Sequence, residues 1–190
     1  MKRYMVAVLG VMALMAVLVV AAVSTASGET AGVSATATNN AKITISVNDS
    51  GADFGTNLDP TGPASDSADG VTAHTSAGVG AFYEWKTGGM SVTVSSNKLW
   101  DGSVTASTST GTSASMTIAS GVLKRTATDP TSYSDCNSAT SLATSAVSNN
   151  WKDDIAKGVN SYTEYYCLRV AWTDDPGTFI STVTYTVTQP

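Results

Sequence analysis

The amino-acid sequence predicts an all-β domain, an antiparallel β-sandwich of immunoglobulin-like or jelly-roll-like type with about seven or more strands. Three observations predict this class. Several short segments alternate apolar and polar residues, which is typical of strands with one buried face. The chain is rich in Thr and Ser and only 13% of its residues are charged, a composition that suits half-solvated sheets. Gly, Pro and Asp separate the alternating segments and indicate turns.

The first 26 residues have the three parts of a secretory signal peptide. Lys2 and Arg3 precede an uncharged apolar run from Met5 to Val23, and small residues lead to a cleavage site after Ala26. An apolar run of about 19 residues could also cross a bilayer, so an uncleaved anchor is the alternative. We expect an extracellular or cell-surface protein, with no membrane partner after cleavage.

Residues 27–41 are predicted to form a flexible N-terminal segment, followed by a single sandwich domain over 42–190. The segment is small and polar, with weak alternation at Val33, Ala35 and Ala37. Such a segment could serve as a donor strand that pairs with the sheet edge of another subunit, so these three residues are the predicted assembly residues.

Strands are predicted wherever the alternation is regular. The first places Ile43, Ile45 and Val47 on one face, and the irregular stretch that follows could bury Phe54 and Leu58. Later strands are predicted at residues 90–94, around 99–104, at 116–118 and at 122–127, with "ASG" as the turn between the last two. A short helix is predicted near 142–157, because Leu142, Val147, Trp151 and Ile155 lie near helical spacing.

The clearest pattern is a predicted antiparallel hairpin near the C-terminus, joined by the turn residues "DDPG". Its first strand has an apolar face of Tyr166, Leu168, Val170 and Trp172. Its second has an apolar face of Phe179, Val183, Tyr185 and Val187, and the intervening threonines form the other face. The only two cysteines, Cys136 and Cys167, are predicted to form a disulfide, since an even pair in an exported protein is normally oxidised.

Several functions are disfavoured by the sequence. The net charge is −5, and without a basic stripe nucleic acid is not an expected partner. No nucleophile elbow, zinc motif or phosphate-binding loop occurs, and the single histidine, His74, is predicted to be a solvated loop residue. We therefore expect no enzymatic activity, no catalytic residue, no metal site and no cofactor.

Two weaker features remain open. Asp49, Asp53, Asp59, Asp66 and Asp69 could hold Ca²⁺ in the 49–69 loop, although their spacing matches no known calcium loop and a solvated acidic loop is the simpler interpretation. In addition, Asn48-Asp49-Ser50 matches an N-glycosylation sequon at a strand end, so Asn48 is a candidate acceptor.

The tryptophans offer a route to carbohydrate binding, because sugar rings stack on exposed aromatic faces. Trp100 and Trp172 occupy positions that predict burial, whereas Trp85 and Trp151 are predicted to be exposed and are the candidate ligand-stacking residues. A glycan is therefore a possible partner.

The stretches "DFGTNLDP", "VTVSSNKLWDGSVTAS" and "DDPGTFISTVTYTVTQ" resemble segments of a loose class of secreted prokaryotic surface proteins. Members of this class are small β-sandwich domains that close with a Pro-Gly-Thr-aromatic turn and a Thr/Val strand, and some are pilus, fibre or coat subunits. The resemblance implies a surface-exposed β-sandwich and carries over no catalytic residue.

Together these observations predict a secreted structural protein, a subunit of a filament, pilus, sheath or coat that polymerises with itself by strand addition. The alternative is a secreted β-sandwich module that binds carbohydrate or another protein. A third possibility is a monomeric secreted domain.

Overall fold

The computed structural model describes residues 37–49, 51–62, 70–145 and 150–190, without the side chains of Lys86 and Thr87. A compact unit extends over Asn40–Pro190, and the short described part before it, 37–39, is exposed. Among the described residues no helix is long and apolar enough to cross a membrane.

The described residues form nine strands and one short helix, which are numbered here in chain order. They are β1 (Ile43–Val47), β2 (Val71–Ser76), β3 (Gly80–Ser96), β4 (Trp100–Ala106), β5 (Leu123–Thr126), α1 (Tyr133–Ser138), β6 (Thr140–Ser141), β7 (Asn150–Ile155), β8 (Gly158–Ala171) and β9 (Val183–Thr188).

The strands build two antiparallel sheets, which confirms the predicted all-β sandwich. The larger sheet has six strands. Five follow the order β1-β3-β8-β5-β6, and the sixth, β2, pairs with the first part of β3, while β1 pairs with its last part. The smaller sheet has three strands in the order β7-β4-β9. Because each sheet has one apolar face, the two faces pack against each other and form the core.

Alternation along the central strands determines which side chains enter the core. In β3, Val92 and Val94 are fully buried, whereas Thr93 between them is partly exposed. In β4, the buried residues alternate in the same way, and Trp100 is completely inaccessible to solvent. The sequence therefore predicted these faces correctly.

Gly102 allows the close approach of a tryptophan in the smaller sheet. A Cβ atom at this position would lie 2.8 Å from Cε3 of Trp151, the ring that covers Gly102. Trp151 in turn packs edge-on against Tyr162 and Tyr185, with ring centroids 5.3 Å and 4.8 Å away. This aromatic cluster links the two sheets at the centre of the core.

The predicted C-terminal hairpin is wrong. β8 pairs with β3 and β5 in the larger sheet, whereas β9 pairs with β4 in the smaller sheet. The "DDPG" stretch does make a turn, in which Asp174 accepts a hydrogen bond from the Ala171 N–H at 2.7 Å. The chain then crosses to the other sheet, because period-two alternation identifies a strand but does not identify its partner.

The predicted helix near 142–157 is also wrong. Residues 150–155 form strand β7, with Trp151 buried, and the helix that is present, α1, lies earlier in the chain. Ser132 caps α1 by accepting the N–H of Asp135 at 3.2 Å. Residues 116–118, predicted as a strand, lead instead into a turn at 117–121 that ends on Gly121, at φ 67°.

The predicted disulfide between Cys136 and Cys167 is present and buried, with Cα atoms 5.8 Å apart. It attaches α1 to the outer face of the larger sheet at β8. Phe82 and Tyr133 complete this small second core, with ring centroids 5.0 Å apart. The disulfide therefore fixes a helix that covers the sheet from outside.

Candidate functional site

The outer edge of β1 carries backbone groups that no described strand pairs with. The N–H of Asn48 donates to the Ser91 carbonyl, and that of Asn97 donates to the Lys42 carbonyl. In an antiparallel ladder the alternate residues point their backbone groups the other way. The N–H and C=O groups of Ile43, Ile45 and Val47 therefore face the outer edge.

The outer edge of β9 has the same arrangement. The N–H of Ser107 donates to the Thr182 carbonyl, so even-numbered residues of β9 use their backbone groups on β4. Val183, Tyr185 and Val187 direct theirs to the outer edge, and no described strand pairs with that edge. Their side chains are half-buried and pack on the core.

The edges of β1 and β9 approach each other at one end and diverge at the other. At the closed end, the side-chain amide of Gln189 donates to the Lys42 carbonyl at 2.9 Å and to Ser96 Oγ at 2.7 Å. At the open end a groove of about 590 Å³ lies between the end of β1 and the beginning of β9. That volume is within the usual range of binding clefts.

The groove reaches the core of the sandwich. The larger sheet contributes Trp85, Met90, Leu123 and Tyr166, and the smaller sheet contributes Val183 and Tyr185. One wall is formed by Val47, Asp49 and residues 51–54, and the other is the segment from Phe179 to Thr182. Large apolar and aromatic side chains thus form the floor, and polar backbone forms the rims.

The floor is supported by a buried polar network. Glu164 is fully buried and accepts two hydrogen bonds of 2.6 Å, one from Arg125 and one from the Trp151 indole. Beside it, the hydroxyls of Tyr166 and Tyr185 lie 2.6 Å apart. Burial raises the pKa of Tyr166 to about 12 and raises the pKa of Tyr185 as well. Both phenols are therefore protonated at neutral pH and can maintain the hydrogen bond.

The candidate ligand-stacking residues are not exposed. Trp85 and Trp151 are 6% and 7% accessible, and each packs against tyrosine rings in the core. Trp172, predicted to be buried, is 59% exposed. These predictions were wrong because β3 is buried on both faces near Trp85, β7 is a strand rather than a helix, and β8 ends one residue before Trp172.

Of the predicted assembly residues, Val33 and Ala35 lie outside the described residues, and Ala37 is exposed. Asn48 is also exposed at the end of β1, and its side-chain oxygen accepts the Ser91 N–H at 2.8 Å. Glycosylation of Asn48 stays a prediction.

The described acids of the 49–69 loop make local turns. Asp49 and Asp53 each accept a backbone N–H two residues later, and Asp59 accepts both the N–H and the hydroxyl of Thr61. These hydrogen bonds lower the pKa of Asp59. Asp66 and Asp69 lie outside the described residues, so calcium binding by this loop stays a prediction.

A different group of acids is brought together by the fold. Carboxylate oxygens of Asp101, Asp153 and Asp154 lie within 4.8 Å of one another at the surface, and the Asp154 N–H donates to Asp101 at 2.8 Å. Sequence reasoning missed this cluster because Asp101 lies on β4 and the other two lie on β7, some fifty residues later. Glu164 and Arg125 were missed too, although Glu164 occupies an inward position of the alternating β8 pattern.

His74 is not the solvated loop residue that was predicted. It lies on β2, and its Nε2 is 3.0 Å from the Glu84 carboxylate, with both side chains largely buried. Burial raises the pKa of Glu84. The pair lies on the outer face of the larger sheet and takes no part in the groove.

No family model, no curated protein and no solved structure matches this chain.

Proposed function

We propose that this protein is a secreted structural subunit of a filament, pilus, sheath or coat at the cell surface, and that its subunits join by strand addition. The observation that carries the proposal is the groove between β1 and β9, where two strand edges flank an apolar floor. An extended segment placed there can hydrogen-bond to the backbone of a strand edge and can bury its apolar side chains against the floor.

Natural sheet proteins usually protect such edges with charges, prolines or bulges, because open edges favour association with other chains. In β9 the residues whose backbone groups face the open edge are Val183, Tyr185 and Val187. The side chains of Thr184 and Thr186 lie on its solvent-exposed face. No lysine, proline or acid interrupts this strand. The edge is thus suited to pairing with another strand.

The segment proposed as the donor is 29–40 from a second copy. Its alternating small residues, Val33, Ala35 and Ala37, suit a floor that is already filled by large aromatic side chains. The donor and the groove are formed by different parts of the chain, so each contact leaves one free donor and one free groove. Such head-to-tail contacts extend into a filament if the rotation does not close.

Secretion is supported by the predicted signal peptide and by the buried disulfide, since disulfides persist mainly in oxidising compartments. A carbohydrate-binding module, the alternative from the sequence, gains nothing from Trp85 and Trp151, because both are buried.

Electron microscopy of the purified protein tests the proposal. We expect regular filaments from the natural sequence. Deletion of residues 28–39 should abolish them while leaving Asn40 bonded to Asn97 in the domain. Val33→Asp with Ala35→Asp, which keeps the length, should also abolish them, and Thr30→Ser should not. Filaments that form normally from the deletion variant would overturn the proposal.

A further inference from the structure

We infer that the incoming strand pairs with the outer edge of β9, so that residues 29–40 of a second copy become the fourth strand of the smaller sheet. The inference rests on the proposed function, and it selects one of the two edges that flank the groove.

The first observation is the distribution of free backbone groups along the groove. Val183 and Tyr185 line it, and Ser181 lies next to them in the same wall. In the antiparallel ladder Val183 and Tyr185 direct their N–H and C=O groups away from β4. β1 contributes only its last residue, Val47, to the groove. A strand lying in the groove therefore meets a continuous ladder on β9 and almost none on β1.

The second observation is the unequal width of the two sheets. The larger sheet has six strands and the smaller sheet has three. On the groove side, Trp85, Met90 and Leu123 of the larger sheet face the groove next to β9. Neighbouring strands lie about 4.8 Å apart, so a strand added to β9 would lie above these side chains and complete the core.

The third observation is the match between the donor and β9. In β9 the inward residues are apolar, and Thr184 and Thr186 are exposed on the outer face. Residues 33–37 repeat this pattern, with Val33, Ala35 and Ala37 alternating with hydroxyl side chains. Adding this strand in the matching orientation extends both the apolar inner face and the hydroxyl outer face of the sheet.

The fourth observation is length. Residues 29–40 span about 40 Å when extended, at about 3.3 Å per residue. The six residues of β9 span about 20 Å by the same rise. The donor is therefore long enough to cover β9 and still leave several residues to reach the domain of its own subunit, which begins at Asn40.

Cysteine cross-linking distinguishes the two edges. The natural cysteines are paired with each other, so an introduced cysteine is the only free thiol. Ser34→Cys supplies the donor thiol. Acceptor thiols are introduced in separate variants on the outer face of β9 (Thr184→Cys, Thr186→Cys) or on the outer face of β1 (Thr44→Cys, Ser46→Cys). Each donor variant is mixed with one acceptor variant, assembled and mildly oxidised.

We expect the donor variant to form a disulfide-linked dimer with at least one of the β9 acceptor variants and with neither β1 acceptor variant. The reason is that side chains of adjacent strands on one face come within bonding distance. Cross-linking to the β1 acceptors would overturn the inference. Filaments that form without any of these cross-links would overturn it and leave the proposed function standing. Absence of both filaments and cross-links would overturn both.

Discussion

The phenolic oxygens of Tyr166 and Tyr185 lie 2.6 Å apart, and this hydrogen bond joins β8 of the larger sheet to β9 of the smaller sheet. Both residues line the groove. The bond therefore holds the edge of β9 at a fixed position over the larger sheet. A preformed edge reduces the ordering cost of binding an extended segment.

Alkaline pH should destabilise the fold at this pair. The folded-state pKa of Tyr166 is about 12, above the usual tyrosine value of 10.0, because burial disfavours the phenolate. A raised pKa gives stability that is present below the unfolded pKa and is lost as pH rises through the folded one. We expect the free energy of unfolding to fall between about pH 10 and pH 12, by about 3 kcal/mol for this phenol.

Urea denaturation across that pH range measures the effect. Tyr166→Phe removes the titrating group and should make the pH profile shallower. Equal profiles for the natural protein and Tyr166→Phe would contradict the assignment.

Glu164→Gln should be strongly destabilising. The fully buried carboxylate accepts hydrogen bonds from Arg125 and Trp151, and removing its charge leaves a buried guanidinium without its ion partner. Breaking a buried ion pair in this way costs about 3–5 kcal/mol. Asp153→Asn, at an exposed position, is the matched control and should change the free energy of unfolding by no more than about 0.5 kcal/mol. A similarly small effect of Glu164→Gln would show that the network contributes little.

The disulfide should contribute to stability through the loop it closes. Cys136 and Cys167 are separated by 31 positions, and a loop of that size corresponds to about 3–4 kcal/mol in the chain-entropy model. We expect the Cys136→Ser, Cys167→Ser double variant to unfold at a lower temperature than the natural protein. A reductant should lower the melting temperature of the natural protein only. A reductant effect of equal size on the double variant would rule out this explanation.

A charge at the mouth of the groove should inhibit assembly without unfolding the domain. Val47 lines the groove and is 42% exposed, so Val47→Lys needs little rearrangement but places a solvated ammonium against the incoming strand. Val159→Lys is the matched control, because Val159 is 74% exposed and does not line the groove. Light scattering should show slower polymerisation for Val47→Lys alone, with similar melting temperatures for both variants. Equal rates would argue against the groove as the contact.

Much of the fold could be predicted from local patterns. Alternation correctly placed Ile43 and Ile45, Val92 and Val94, and Val183 and Tyr185 on buried faces, because a strand with one wet face shows its period directly in the sequence. Strand partners could not be predicted in this way. β8 and β9 are neighbours in sequence but lie in different sheets, and only long-range packing decides that.

The site was harder to predict than the fold. The groove forms because the chain diverges after Val47, where β1 ends, and before Val183, where β9 begins. These two residues are more than 130 positions apart in the sequence. Trp85 was misassigned because β3 is buried on both faces there and so shows no alternation. Trp151 was misassigned because its segment, strand β7, was predicted to be helical. The buried Glu164 was visible only as a polar residue at an inward position.

Competition by a synthetic peptide of residues 29–40 during assembly of the intact protein tests strand addition most directly. The free peptide carries a donor strand but no groove, so it should occupy the groove and terminate each growing filament. We expect light scattering and filament length to fall with peptide concentration, and a control peptide with Val33→Asp and Ala35→Asp to have no effect. An intact protein that stays monomeric, or filaments that grow equally with either peptide, would contradict assembly by strand addition.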